Sequence, residues 1–372
     1  MTNNLGIYIH VPFCTAKCAY CDFYSLAGQL EQRDAYTRRL LTDLRRQAGQ
    51  CRPFVVDTVY FGGGTPSLLG GERIAAIVQE INAQYCVAPE AEITVEANPD
   101  SMTQAFLTDA YAAGVNRLSM GIQSAHDDEL HALGRIHTFA QAQAAFAAAR
   151  AAGFGNISVD LMYALPGQDM DRLAQSIDAL LALQPEHLSC YGLTLEPHTP
   201  LGRQKPVLPD EDTQADMYLM LCETMHKAGF LHYEISNFAK PGFHSRHNSR
   251  YWRQSPYLGF GPGAHGDFAG VRYAIPRDFS AWLTGTAKPM REDDGATDRA
   301  AEYVMLSLRT AEGFDSQYFA QTFLRDPSPM ERALSALPGP YVQHTDSRWH
   351  LTDAGFLLSN AIIVTALEAM EA

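Results

Sequence analysis

The sequence predicts an α/β fold made of parallel βα units, followed by a smaller, mostly helical C-terminal module. Short β-branched or aromatic runs alternate with helix-like stretches through the first two-thirds of the chain, and this rhythm changes after about residue 210. Strands that alternate with helices imply parallel βα units. Six such units form either an open doubly wound sheet or a partly closed barrel. The predicted strands are Gly6–His10, Val56–Phe61, Glu92–Ala97, Arg117–Ile122, Ile157–Met162 and Leu188–Leu193. The predicted helices between them are Asp34–Gln47, Glu72–Gln84, Phe139–Ala152 and Met170–Leu183.

The last third of the chain follows a different pattern. A predicted helix at Glu211–Gly229 precedes an aromatic and histidine-rich stretch, His232–Gly266. From about Thr297 the order is helix, short helix, strand at Trp349–Leu351 and helix from Thr352, which is typical of a winged-helix-like module. We therefore expect a core at residues 1–235, a connecting segment at 236–296 and a C-terminal module at 297–372. The module has no basic stripe, so DNA binding is not expected.

Composition and charge exclude several classes of protein. The 372 residues are 46% hydrophobic, which is enough for a sizeable core and excludes a disordered chain. With 28 Lys and Arg against 42 Asp and Glu, the net charge of −14 would repel a phosphate backbone, so nucleic acid is not an expected partner. The N-terminus has neither a basic region nor a long apolar run, and no 18-residue apolar window occurs. We expect a soluble, cytoplasmic protein.

Three of the seven cysteines lie within eight residues, directly after the first predicted strand. They are Cys14, Cys18 and Cys21. In a reducing compartment, clustered thiols indicate a metal rather than disulfides. Cysteine thiolates usually hold Fe–S clusters four at a time, so three thiolates leave one iron open to another ligand. The alternative is a zinc site whose fourth ligand is His10 or a distant cysteine.

Polar and glycine residues recur where the predicted strands end. A glycine triplet, Gly62–Gly64, and Thr65 follow the second strand, Glu96 ends the third, Gln123 follows the fourth, and Asp160 lies within the fifth. A carboxylate inside an apolar strand is costly unless it is paired or bound to a ligand. In a parallel barrel the C-terminal strand ends gather at one mouth, where sites form. We expect these residues to share one site.

The pattern CxxxCxxC with an aromatic residue, Tyr20, before the last cysteine resembles the radical S-adenosylmethionine (SAM) family. The resemblance implies a partial (β/α)6 TIM-like barrel and a 4Fe–4S cluster on Cys14, Cys18 and Cys21, whose fourth iron chelates SAM. Over GGGTPSLL, EANP, GIQS, LGRIH and the C-terminal module, the chain resembles the subgroup that contains oxygen-independent coproporphyrinogen III oxidase and heme chaperones. It implies a SAM pocket lined by Tyr8, Tyr20, Gly63, Gly64, Thr65, Glu96, Gln123, Arg135 and Asp160. In that pocket Glu96 and Asp160 suit ribose or amino groups, and Arg135 suits a carboxylate.

Two departures argue against the oxidase. The oxidase carries a further cysteine two positions after the triplet, where this chain has Phe23, and only 13 residues precede Cys14, although the oxidase has a longer extension there. Instead, His247–Trp252 matches the HNxxYW motif of the heme chaperones, which implies heme binding with His247 as the iron ligand. Histidine is a common axial ligand, and Tyr and Trp offer flat apolar faces to a porphyrin.

The residues around this motif also suit an anionic ligand. From Ile235 to Gly266 the chain has no Asp or Glu, although it holds Lys240, Arg246, Arg250 and Arg253. His265 is a second candidate ligand. The alternative is that Tyr251 and Trp252 are core residues and that His247 caps a helix or bonds the backbone.

The expected function is that of a radical SAM-type heme chaperone that passes heme to acceptor apoproteins, including those of respiration. In such a chaperone the cluster and SAM are expected to serve regulation or dimerisation rather than substrate turnover. Peripheral membrane association is expected only through the acceptor proteins. Oxygen-independent coproporphyrinogen III oxidase, which converts two propionates to vinyl groups, is the alternative. A zinc-stabilised binding protein without SAM is the third candidate.

Overall fold

The computed structural model describes residues 3–292 and 298–371. All six predicted strands are present, and the α/β fold class is confirmed. They are β1 (Asn4–Val11), β2 (Val55–Gly63), β3 (Cys86–Ala97), β4 (Arg117–Gln123), β5 (Ile157–Tyr163) and β6 (His187–Gly192). Each pairs in parallel with the next, so their C-terminal ends meet at one edge of the sheet. None of the described helices is long and apolar enough to cross a membrane.

The chain separates into two compact units. The described residues of 1–209 and 256–293 form the first unit, and those of 210–255 and 294–372 form the second. The sequence-based boundary between residues 296 and 297 lies outside the described residues.

The first unit adds strands that the sequence did not reveal. Tyr257–Phe260 pairs in parallel with β1 on the side opposite β2. Three antiparallel strands, His265–Phe268, Val271–Ala274 and Met290–Arg291, extend the sheet beyond it. These strands are short, and the turn before His265 contains Gly261 and Gly263, both with positive φ. Short strands broken by glycine lack the long alternation by which a strand is recognised.

Helices connect the parallel strands, and capping side chains explain where two of these helices begin. Those between β1 and β6 are Arg33–Ala48, Gly71–Gln84, Gln104–Ala112, Asp127–Ala132, Phe139–Ala151 and Met170–Ala182, and this unit also contains Pro200–Gln204 and Phe279–Thr284. Thr138 and Gln141 form a reciprocal capping box at the start of Phe139–Ala151. The Asp169 side chain accepts a bond from the Arg172 amide and starts Met170–Ala182.

The second unit is mainly helical. Its helices are Glu211–Lys227, Arg246–Trp252, Arg299–Ser307, Ser316–Phe323, Ser328–Ser335, Asp353–Leu357 and Ser359–Glu371. A hairpin of Leu231–Glu234 and Asn237–Ala239 follows the first helix. A small sheet places Arg348–Leu351 between Phe314–Asp315 and Val342–Thr345. Phe314 and Phe319 are fully buried and pack edge to face, 5.4 Å between ring centroids.

Candidate functional site

The glycine-rich turn after β2 fixes the start of the cysteine loop. The Gly64 amide donates to the Val11 carbonyl at 2.8 Å, and the Thr65 amide donates to the Phe13 carbonyl at 2.7 Å. A Cβ atom on Gly64 would lie 2.7 Å from the Phe13 carbonyl oxygen. This close approach of two backbone segments therefore requires glycine.

The three cysteines lie on the loop that this turn supports. Cys14 ends a two-residue strand, Phe13–Cys14, which pairs in parallel with Leu26–Ala27 and so closes the loop at its base. The Cys21 amide donates to the Cys18 carbonyl at 3.2 Å. All three thiols are free and half-buried, and burial raises the pKa of both Cys14 and Cys21. The structure therefore places all three at one site, as the cluster assignment requires.

The three thiols line a cavity of about 510 Å³ at the C-terminal ends of the parallel strands, which we call the thiol cavity. Every residue that the sequence assigned to the SAM pocket lines this cavity, except Tyr8. Tyr8 stacks on Tyr60 with 6.2 Å between ring centroids, and its hydroxyl lies 3.1 Å from Nδ1 of His10. A Cβ on Gly62 would lie 3.1 Å from the Tyr8 ring, so this ring packs closely against the first glycine of the turn.

Two hydrogen bonds hold the Glu96 carboxyl group in place at the cavity wall. Its Oε1 accepts the Tyr60 hydroxyl at 2.7 Å, and its Oε2 accepts the Gly63 amide at 3.1 Å. Burial raises the pKa of Glu96 to about 7, against the effect of these two donors. A carboxyl group held in this way suits hydroxyl or amino groups of a ligand.

Arg135 and Asp160 provide opposite charges on the cavity wall. Arg135 donates to the Asn98 side-chain oxygen at 3.1 Å and to the Gly121 carbonyl at 2.8 Å, and it lies 3.6 Å from the Cys18 sulfur. Its Nε is buried without a partner among the described residues. Burial raises the pKa of Asp160 to about 6. The unpaired Arg135 nitrogen and this carboxyl group fit an amino-acid ligand such as the methionine part of SAM.

Gln123 has an unusual backbone conformation. Its φ is +78°, and the pairing of β4 with β5 shifts register between Gly121 and Gln123. A non-glycine residue in this region of φ and ψ is strained, and such residues cluster at functional sites. The bulge aims the Gln123 side chain into the cavity.

Sequence reasoning missed several lining residues. They include Ser25, Asn98, Ser119, Met162, Tyr191 and Thr194. Asn98 belongs to the EANP motif and caps the turn at Pro99–Ser101, so the EANP motif was the sequence signal that could have indicated this residue. Phe23 also lines the cavity and is 68% exposed, so its ring lies at the opening.

The position of His10 does not support the zinc alternative. Its Nδ1 lies 3.1 Å from the Tyr8 hydroxyl and its Nε2 lies 2.9 Å from the Tyr24 carbonyl oxygen. Both nitrogens are therefore engaged, and burial lowers the His10 pKa to about 4. His10 is also absent from the lining of the thiol cavity.

The second unit contains another cavity, of about 450 Å³, which we call the aromatic cavity. It is lined by residues from three parts of the unit: Tyr233, Glu234, His244, Ser249, Trp252, Arg253, Tyr303, Ser307, Thr310, Ala311, Glu312, Gly313, Asp315, Tyr318 and Arg348. Trp252 and Arg253 come from the end of the helix that carries the HNxxYW motif. Glu234, Glu312 and Asp315 also line the cavity, and Arg253, one of the basic residues around this motif, is ion-paired with Glu312.

His247 does not line the aromatic cavity. It is fully buried on the helix Arg246–Trp252, and its Nε2 lies 2.9 Å from the Tyr251 hydroxyl. His244 does line the cavity, where its ring stacks on Tyr233 at 4.3 Å. Its Nε2 is buried without a partner among the described residues. His265 lines neither cavity, and its Nδ1 lies 2.9 Å from a Glu292 carboxylate oxygen.

Comparison with known proteins agrees with the fold. Residues 8–180 match the radical SAM superfamily model. In the solved structures, the coproporphyrinogen III oxidase HemN from Escherichia coli matches with a TM-score of 0.83 at 21% identity, covering 98% of this chain and 90% of that one. This likeness concerns the fold.

Similar sequences give a narrower assignment. The heme chaperone HemW of Escherichia coli K12 is 35% identical, covering 96% of this chain and 97% of the relative. HemW of Bacillus subtilis is also 35% identical, covering 95% of this chain and 97% of the relative. Membership of the radical SAM superfamily implies a 4Fe–4S cluster and SAM. With this identity over nearly the whole of both chains, the protein belongs to the HemW family of the radical SAM superfamily.

Proposed function

We propose that this protein is a heme chaperone: it binds heme and a 4Fe–4S cluster and transfers the heme to acceptor apoproteins. The observation that carries the proposal is the aromatic cavity beside the HNxxYW helix. Membership of a family whose members are named heme chaperones supports it.

The aromatic cavity offers the chemistry that heme needs. Tyr233, Trp252 and Tyr303 present flat faces suited to an apolar macrocycle. Arg253 and Arg348 supply guanidinium groups suited to the two propionates. Both arginines are ion-paired in the structure, Arg253 with Glu312 and Arg348 with Asp315, so propionates would exchange with protein carboxylates.

We propose His247 as the iron ligand, with His244 as the alternative. Ligation by Nε2 of His247 requires release of its contact with the Tyr251 hydroxyl, which is a net loss of about 1 kcal/mol, and local opening of the helix. His244 would lose no bond at Nε2 among the described residues.

The thiol cavity would hold the cluster on Cys14, Cys18 and Cys21. When bound there, the cluster and SAM supply one-electron reductive chemistry. Glu96, Arg135 and Asp160 would orient the amino-acid and ribose parts of SAM. We propose that this site serves regulation or dimerisation rather than porphyrinogen turnover, because Phe23 stands where the oxidase carries a further cysteine.

The proposed acceptors are heme-requiring apoproteins, including those of respiration. The proposal places the chaperone in the cytoplasm, with membrane contact only through such acceptors.

Heme titration of cluster-reconstituted protein tests the ligand assignment. The visible spectrum should change on binding, and His247→Ala should weaken heme binding at least 10-fold while the cluster absorption stays unchanged. His131→Ala, which removes an exposed histidine, is the matched control. Full affinity in His247→Ala together with a loss in His244→Ala would transfer the ligand role to His244. Full affinity in both single variants and in the double variant would refute ligation by either histidine.

A further inference from the structure

We propose that Cys222, His232 and Asp353 form a zinc-binding site in the second unit, with His226 as the fourth ligand at its open edge. None of these four residues lines either of the cavities described above.

The ligand atoms are already close together. The Cys222 sulfur, one imidazole nitrogen of His232 and one carboxylate oxygen of Asp353 all lie within 4.8 Å of one another. With Zn–S near 2.3 Å and Zn–N or Zn–O near 2.0 Å, tetrahedral geometry separates ligand atoms by about 3.3–3.5 Å. The widest pair therefore has to close by about 1.5 Å at most, whereas Nδ1 of His232 and the Asp353 oxygen, now 2.7 Å apart, have to separate by about 0.6 Å. Side-chain rotation covers both changes.

Local structure explains why these residues meet. Cys222 and His226 are four residues apart on the helix Glu211–Lys227, so they share one face. His232 follows on the strand Leu231–Glu234, and Asp353 begins the helix Asp353–Leu357. The Asp353 carboxylate lies between the two imidazoles, with one oxygen 2.7 Å from Nδ1 of His232 and the other 3.0 Å from Nε2 of His226.

The contact between His232 and Asp353 indicates which nitrogen of His232 would bind the ion. Nδ1 of His232 lies 2.7 Å from one Asp353 oxygen, so a zinc ion would take the place of the proton that these two atoms now share. Nε2 lies on the opposite edge of the ring, buried without a partner among the described residues, and takes no part in the site. His232 is 7% exposed, so its bond to the ion would be shielded from water.

The donor set selects zinc among the common divalent cations. One thiolate, two imidazoles and one carboxylate suit Zn²⁺, whereas Mg²⁺ and Ca²⁺ prefer oxygen ligands alone. Cys222 is buried, whereas the side chains of Asp353 and His226 are 33% and 46% exposed, which leaves an entry path. Burial raises the pKa of the Cys222 thiol to about 12, so binding would form a Zn–S bond and release the thiol proton to solvent.

Cobalt substitution tests the site without reference to any activity. The full-length chain with Cys14, Cys18 and Cys21 changed to Ala removes the competing thiols, and circular dichroism verifies its fold. Stoichiometric Co²⁺ should produce thiolate-to-cobalt charge-transfer absorption and the strong visible bands of tetrahedral cobalt, and one equivalent of Zn²⁺ should abolish both. Cys222→Ser should remove the charge-transfer band, and His232→Gln should weaken binding about 100-fold. Cys51→Ser, which removes another buried thiol, is the matched control.

Metal analysis of cluster-loaded wild-type protein provides the second measurement. After incubation with zinc and dialysis it should hold one zinc per chain, and Asp353→Asn should hold less. A folded protein that gives no charge-transfer band would overturn the proposal. So would a band that persists in Cys222→Ser. Either result would leave the cluster as a hydrogen-bonded network without a metal.

Discussion

Glu234 makes the stability of the second unit depend on pH. Its side chain lines the aromatic cavity and is 1% exposed. Asn237 donates to Oε1, and the Ser236 amide lies 3.4 Å from Oε2, but no cation pairs with the carboxylate in the part of the chain that the structure describes. Burial raises the pKa of Glu234 from 4.5 to about 7.

The sign of the effect follows from proton linkage. Because the folded state binds the Glu234 proton more tightly than the unfolded state, stability falls as pH rises through the interval from 4.5 to about 7. For these two pKa values the loss between pH 5 and pH 8 is about 2–3 kcal/mol. Glu234→Gln cannot ionise and should escape this loss.

Urea unfolding at pH 5 and pH 8, followed by circular dichroism, measures the difference. The free energy of unfolding of Glu234→Gln, relative to wild type, should rise by about 2–3 kcal/mol from pH 5 to pH 8. Glu368→Gln, which changes an exposed carboxylate of the same unit, should show no such rise. If the free energy of unfolding changed equally with pH in Glu234→Gln and in wild type, the claim that burial raises the pKa of the Glu234 carboxyl group would be refuted.

Two further predictions concern the cluster. Gly64→Ala should lose most of the reconstituted iron and sulfide, because the added Cβ would lie 2.7 Å from a backbone carbonyl oxygen. The control Gly155→Ala, with no atom within 4 Å of its added Cβ, should keep both. Equal iron contents in the two variants would contradict the steric argument. Cys18→Ala should abolish the electron paramagnetic resonance signal of the reduced 4Fe–4S cluster. The control Cys86→Ala, which removes an exposed cysteine, should retain that signal. A cluster signal in Cys18→Ala would exclude the Cys18 thiol as a ligand.

Much of the first unit follows from local sequence signals. All seven residues of β4 and five of the seven residues of β5 are buried, and Thr138 and Asp169 mark helix starts by capping. The polar residues at strand ends converge because parallel strands share one edge. Tyr8 departs from this pattern because it lies in the middle of β1, where its ring packs against Tyr60 and Gly62.

The second unit was less predictable, for a physical reason. The aromatic cavity combines Tyr233, Trp252, Tyr303 and Arg348, which are separated by up to 115 positions in the sequence numbering and meet only through tertiary packing. No local periodicity encodes such contacts. The same limit applies to the burial of His247, since a motif specifies residue types and spacing but leaves open which side of a short helix faces a cavity.

The proposed function requires that this chain carries heme and does not decarboxylate porphyrinogens. Its most direct test is anaerobic incubation of cluster-reconstituted protein with SAM, a reductant and coproporphyrinogen III, with porphyrin products followed by chromatography. A parallel sample titrated with heme verifies that the preparation is folded and competent to bind. We expect heme binding and no protoporphyrinogen above the level of a protein-free control. Protoporphyrinogen formed over many turnovers would contradict the account and identify the protein as an oxidase.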